Sequence, residues 1–126
     1  MVTSDKPSPW LDVSDAMARD KTLVVVEDLL ISKLVRAVLR KEGYSVVVAN
    51  PPEAADLLRL PGGDLSILLT NSPAIFLEFA GTVPLLYLSS APDPQLEGQF
   101  RCCRVVRKPF APGELVQAIS ELAAAL

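Results

Sequence analysis

Glu27 and Asp28 stand directly behind a β-branched run, Thr22 to Val26 (TLVVV). Ser89 and Ser90 stand behind Leu85 to Leu88, and Lys108-Pro109 behind Cys103 to Arg107. A further apolar run, Leu65 to Leu69, is followed by Thr70 and Asn71. If these runs are parallel strands of one sheet, an acidic pair, a hydroxyl and an ammonium meet at its C-terminal edge. That edge is where open α/β sheets bind ligands. Two adjacent carboxylates supply the oxygen donors that a hard divalent cation takes. The lysine supplies a competing outcome, an ion pair that neutralises an acid without a metal. Leu69, at the end of its run, has no nucleophilic or ligating atom.

The elements that must position these residues follow from periodicity. Leu30 to Glu42 has helical spacing, with Ile31, Leu34, Val35 and Val38 predicted on the buried face and Lys33, Arg36, Arg40 and Lys41 mostly on the others. Gly43 suits the helix end. Tyr44 to Ala49 (YSVVVA) reads as a second strand, and Asn50 as the cap of a short helix over Pro51 to Leu60. Pro61-Gly62-Gly63 is a turn. Ala74 to Ala80 (AIFLEFA) has room for about two helical turns. Pro94 to Phe100 holds another short helix, and Pro112 to Leu126 a final one with Leu115, Ile119, Leu122 and Leu126 as its buried stripe. Strands alternating with helical segments predict a parallel sheet covered on both faces. Residues 1–20, with prolines at 7 and 9 and scattered charges, read as a flexible arm ahead of a domain over 21–126.

Composition narrows the function. The chain has 126 residues, enough for one domain with a core; 50% are hydrophobic and 21% charged, a globular balance. A net charge of −3 argues against a nucleic-acid surface. No apolar run approaches the roughly 18 residues of a membrane span, and the N-terminus lacks a basic segment followed by an apolar core, so the expected location is cytoplasmic. Histidine is absent, which removes the phosphotransfer histidine and the Ser/His/Asp triad. Cys102 and Cys103 are adjacent, and the expectation is two reduced thiols. Neither GxGxxG nor GxxxxGK[ST] occurs, which weakens a nucleotide-binding reading.

VVVED at 24–28, KEGY at 41–44, DLSILL at 64–69, PLLYLSS at 84–90 and RKPF at 107–110 together resemble the receiver domain of two-component response regulators, over about Lys21 to Leu126. The resemblance implies a doubly wound, CheY-like α/β fold with a five-stranded parallel sheet in the order 2-1-3-4-5. It implies that Glu27 and Asp28 match the acidic pair that holds Mg²⁺, Ser89 the hydroxyl that contacts the phosphoryl group, and Lys108 the lysine that pairs with the acceptor carboxylate. The acceptor belongs five residues after an Asp-Leu start and four before a proline. Counted from Asp64 or back from Pro73, that position is Leu69. The aromatic switch of the family falls at Val105, three residues before Lys108. Acceptor and switch are both missing, so the resemblance is to a degenerate pseudo-receiver. Without the central carboxylate any Mg²⁺ at Glu27 and Asp28 is held weakly or not at all, and pairing with Lys108 is the expected alternative.

The third helical segment is shorter than a receiver's. Its Ile75, Phe76, Leu77 and Phe79 either fill the space that the truncation leaves or face a partner. Lys33, Arg36 and Arg40 give the first helix a basic outer face, either solvated or a docking face for a kinase or effector. Alanines 118, 123, 124 and 125 on the last helix either favour helix or let a second copy approach. The leading reading is a non-enzymatic, phosphorylation-independent protein-interaction module. Two others stand beside it: a phosphorylatable response regulator with its acceptor elsewhere, and a small flavodoxin-like ligand-binding domain.

Overall fold

The computed structural model describes residues 22–60 and 66–125. The arm over 1–20, the turn at 61–63, Asp64, Leu65 and Leu126 lie outside the described residues. Five strands, β1 (Thr22–Val26), β2 (Ser45–Val48), β3 (Ser66–Thr70), β4 (Leu85–Ser89) and β5 (Cys103–Arg107), form one sheet in the order β2-β1-β3-β4-β5, every pair parallel. Four α-helices, α1 (Leu29–Lys41), α2 (Pro51–Arg59), α3 (Pro94–Gln99) and α4 (Pro112–Ala124), and a 3₁₀ segment (Pro73–Phe79) connect them.

The central strands are apolar along their whole length because both sheet faces are covered. Strand alternation divides their side chains between two cores. Leu23, Val25, Ile67, Leu69, Leu86 and Leu88 pack with Val35 and Leu39 of α1 and Leu115, Ile119 and Leu122 of α4. Val24, Val26, Leu68, Leu85 and Tyr87 pack on the other face with Ala54 and Leu58 of α2 and Phe76 and Phe79 of the 3₁₀ segment. Leu69 therefore belongs to the α1/α4 core, in register with Val25 of β1 and Leu86 of β4.

Three helical faces differ from the sequence reading. On α1, Leu34 is exposed and Ser32 is buried. Ser32 Oγ donates to the Glu27 carbonyl at 3.1 Å, which satisfies the hydroxyl and lets Ser32, Val35 and Leu39 share the inner face. Leu34 lies about 100° round the helix from Val35. The segment after β3 is 3₁₀ rather than α, and its period of three puts Pro73, Phe76 and Phe79 inward while Ile75 and Leu77 face out. On α4, Ala118 is buried, because it lies three residues after Leu115 and four before Leu122; Ala123 is half-buried, which leaves Ala124 and Ala125 exposed.

The connections are capped as the residues dictate. Asn50 and Glu53 form a capping box at α2, with bonds of 2.9 and 3.0 Å. Gly43, at φ 92°, turns the chain out of α1 in the left-handed region that favours glycine. The Lys108-Pro109 peptide is cis.

Candidate functional site

The end of β1 and the end of β5 meet. Lys108 Nζ lies 2.7 Å from Glu27 Oε2. The Glu27 side chain is fully buried, whereas that of Lys108 keeps 22% exposure. The contact is an ion pair without hydrogen-bond alignment, since Oε2 has no partner at an acceptable angle. The other oxygen, Oε1, accepts the Asp28 N–H at 3.0 Å. A buried carboxylate of this kind is tolerable because a cation sits on it.

Asp28 does something different. Its Oδ1 accepts the Ile31 N–H at 2.9 Å, and its carbonyl accepts the Ser32 N–H at 2.9 Å. It is the N-cap of α1, exposed and committed to the helix's unpaired donors. The adjacent acids thus diverge, one to the lysine and one to the helix.

The hydroxyls at this edge are also engaged. Ser89 Oγ accepts the Ala91 N–H at 3.0 Å, and Thr70 Oγ1, fully buried at the end of β3, accepts the Ser72 N–H at 3.0 Å. Each closes a local turn. The Ser89 carbonyl accepts the Lys108 N–H at 3.1 Å, which ties the end of β4 to the lysine. Leu69, opposite Val25 and Leu86, is buried in the α1/α4 core with no exposed surface and no polar side-chain atom.

No family model matches the sequence, and no curated protein matches it. Solved structures do match in three dimensions. The chemotaxis response regulator CheY4 of Vibrio cholerae is 22% identical, with a TM-score of 0.66 over 82% of this chain and 98% of that one. The signal receiver domain of a signal transduction histidine kinase from Syntrophus aciditrophicus is 17% identical, with a TM-score of 0.67 over 84% and 92%. A response regulator receiver protein from Sinorhizobium medicae is 16% identical, with a TM-score of 0.65 over 84% and 95%. The chain has the receiver fold.

The edge brings Glu27, Ser89 and Lys108 to the ends of β1, β4 and β5, with Lys108 bound to both others. It does not bring Asp28 into the same set. The side chains do not make a Mg²⁺ donor set: Glu27 Oε2 already faces an ammonium, Asp28 Oδ1 caps a helix, and the Leu69 side chain has no oxygen. Among the described residues no three His, Cys, Asp or Glu side chains gather where an ion would sit.

Val105 lies in the second core beside Tyr87, its partner across β4 and β5. Sequence reading missed Tyr87. It is buried, and its hydroxyl accepts the Asp93 N–H at 3.2 Å, which pins the loop between β4 and α3. The signal was available, since a buried tyrosine needs a partner for its hydroxyl. The basic residues Lys33, Arg36 and Arg40 are all exposed on α1, and none of the ion pairs among the described residues uses them. Ala124 is exposed at the far end of α4. A groove of 560 Å³ runs along β5 and α4 up to Arg107 at the end of β5 and Pro92 in the loop after β4, and one of 460 Å³ lies around Cys102. Among the described residues no helix is long and apolar enough to cross a membrane.

Proposed function

We propose that this chain is a pseudo-receiver, a receiver-fold domain that works in signalling by recognising another protein and takes no phosphoryl group. The observation that carries the reading is the Lys108–Glu27 ion pair at the strand ends, together with the buried Leu69 at the position that the sequence count gives for an acceptor. An acyl phosphate needs a carboxylate, and the buried carboxylate in reach of the lysine is Glu27, which follows β1 and is not on β3. Two further features support it. Asp28 is spent on the α1 cap, and the switch position holds Val105, which has no aromatic ring to swing towards Ser89. A phosphorylation switch therefore has neither its trigger nor its moving part.

Recognition falls to the surface. The α1 face with Lys33, Arg36 and Arg40 is the candidate contact for an acidic partner, of the kinase or effector class. Such charges set association rate and salt dependence more than affinity. The chain is incubated with acetyl phosphate and Mg²⁺ and its intact mass is measured. No adduct is expected; a stoichiometric, base-labile phosphoryl adduct would revive the alternative of a working response regulator with its acceptor elsewhere.

A further inference from the structure

Three of the exposed large hydrophobic side chains, Leu29, Leu30 and Leu34, lie on α1, and Leu30 is 78% exposed. Leu30, Leu34, Ala37 and Lys41 are spaced four, three and four residues apart, which sets them in one line along the outer face of the helix, and all four are exposed. Lys33, Arg36 and Arg40 run beside that line on one side. Between its caps, Asp28 and Glu42, α1 contains no acidic residue, and none of the ion pairs among the described residues uses its four cations. The face is therefore an apolar line with an unpaired basic row next to it. It fits a segment with the same apolar period and the opposite charge.

The chain itself contains such a segment. Trp10 to Ala18 (WLDVSDAMA) carries two charged residues, Asp12 and Asp15, both acidic. Trp10, Leu11, Ser14, Met17 and Ala18 fall at the spacing of one helical face. The segment is also tethered at a suitable place. Thr22, the first described residue, pairs with Ser45, which follows α1 through the turn at Gly43. The arm thus joins the fold beside the C-terminal end of α1. From Trp10 to Thr22 the chain can span about 40 Å when extended, against about 17 Å for the line from Leu30 to Lys41. A short tether supplies an effective concentration on the order of millimolar, which an outside partner has to match.

We propose that residues 10–18 cover the α1 face of their own chain, with Trp10 and Leu11 on Leu30 and Leu34, and the Asp12 and Asp15 carboxylates at Lys33 and Arg36. An acidic partner then has to displace the arm, which makes the arm a built-in competitor for the recognition face. That consequence rests on the recognition role proposed above; the contact itself does not.

The test uses the full chain and its single tryptophan, Trp10. In the wild type the Trp10 emission should be blue-shifted, and its quenching by acrylamide several-fold weaker than that of free N-acetyltryptophanamide, at every protein concentration. Leu30→Gln/Leu34→Gln should bring both to the values of the free compound; the two leucines are exposed, and circular dichroism checks that the fold is kept. Lys33→Glu/Arg36→Glu should do the same, and so should Asp12→Lys/Asp15→Lys, because each sets like charges together. The four charge substitutions combined exchange the signs and should restore the shielding. Added salt should weaken it. A wild-type Trp10 as quenchable as the free compound overturns the proposal, as does a combined variant that stays exposed. Shielding that no α1 variant relieves overturns it too, by placing the arm elsewhere, and shielding that grows with concentration does so by making the contact one between copies. A phosphoryl adduct in the acetyl phosphate experiment removes the recognition reading and leaves a shielded Trp10 as it is, so the two failures are told apart.

Discussion

On the proposed reading, Leu69→Asp supplies the carboxylate that a phosphoryl-accepting receiver would use, and the surroundings of Leu69 say what it should do. Leu69 has no exposed surface and packs between Val25 and Leu86. Removing a fully buried leucine forfeits about 2 kcal/mol of apolar burial. The new carboxylate enters an apolar site, and Lys108, the cation that the proposed reading sets nearest, is already taken by Glu27. An undercompensated buried charge costs several kcal/mol more. The sum, about 5 kcal/mol, is a large part of the roughly 5–15 kcal/mol that holds a domain together. Burial and Glu27 both favour the protonated form, so the folded-state pKa of the introduced carboxyl lies above its unfolded value. The penalty is then absent below the unfolded pKa and grows as pH rises towards the folded one, by about 1.4 kcal/mol for each unit of displacement. Leu69→Asn carries the same shape without the charge. Urea unfolding of both variants at pH 4 and pH 7 isolates the carboxylate: the gap between them should be near zero at pH 4 and open at pH 7. A Leu69→Asp variant as stable as wild type at pH 7, and phosphorylated by acetyl phosphate with Mg²⁺, would refute the reasoning, because the pocket would then be a working acceptor site that lacks one residue.

Three further outcomes follow from the same geometry. Lys108→Met strands the buried Glu27 and should cost about 3 kcal/mol in urea unfolding, most of which Glu27→Leu should return in the double variant; additive losses would mean the pair is not coupled. Asp28→Ala should cost about 1 kcal/mol through the lost N-cap, equally with and without millimolar Mg²⁺; a loss that appears only with Mg²⁺ would make Asp28 a ligand. Burial first, and the Glu97 carboxylate after it, push the Cys103 thiol up to about 11 from 9.0. In a Cys102→Ser variant, iodoacetamide at pH 8 should therefore react about 100-fold more slowly than with an ordinary thiol of that starting value, and speed up towards pH 11; a fast reaction at pH 8 would show an open, ionised sulfur.

The sheet was legible because its signal is dense. TLVVV and SVVV are β-branched and LLYL is apolar, and all read as strands, although β2 proves to be an edge with only Val46 buried; the tripeptide Lys108-Pro109-Phe110 follows the fifth strand. That Leu69 is a buried residue of the third strand was legible in the apolar run Leu65 to Leu69. Side-chain direction was harder. Ser32 is buried because the Glu27 carbonyl takes its hydroxyl proton, a partner that no apolar pattern reveals, and its inward turn is what leaves Leu34 outside. Glu27 and Asp28 read as a pair because they are adjacent, yet an aspartate in front of a helix is an N-cap by its chemistry, and that competing rule decided its direction. Ile75, Phe76, Leu77 and Phe79 looked like too many apolar residues for two α-turns; a period of three resolves them into two that bury and two that do not.

Amide spectra of the ¹⁵N-labelled chain, titrated with beryllofluoride in the presence of Mg²⁺, test the central claim most directly, because this anion mimics a bound phosphoryl group wherever an acceptor carboxylate exists. The amides of Glu27, Asp28, Leu69, Ser89 and Lys108 are expected to stay where they are. Saturable, stoichiometric shifts centred on those five residues would contradict it.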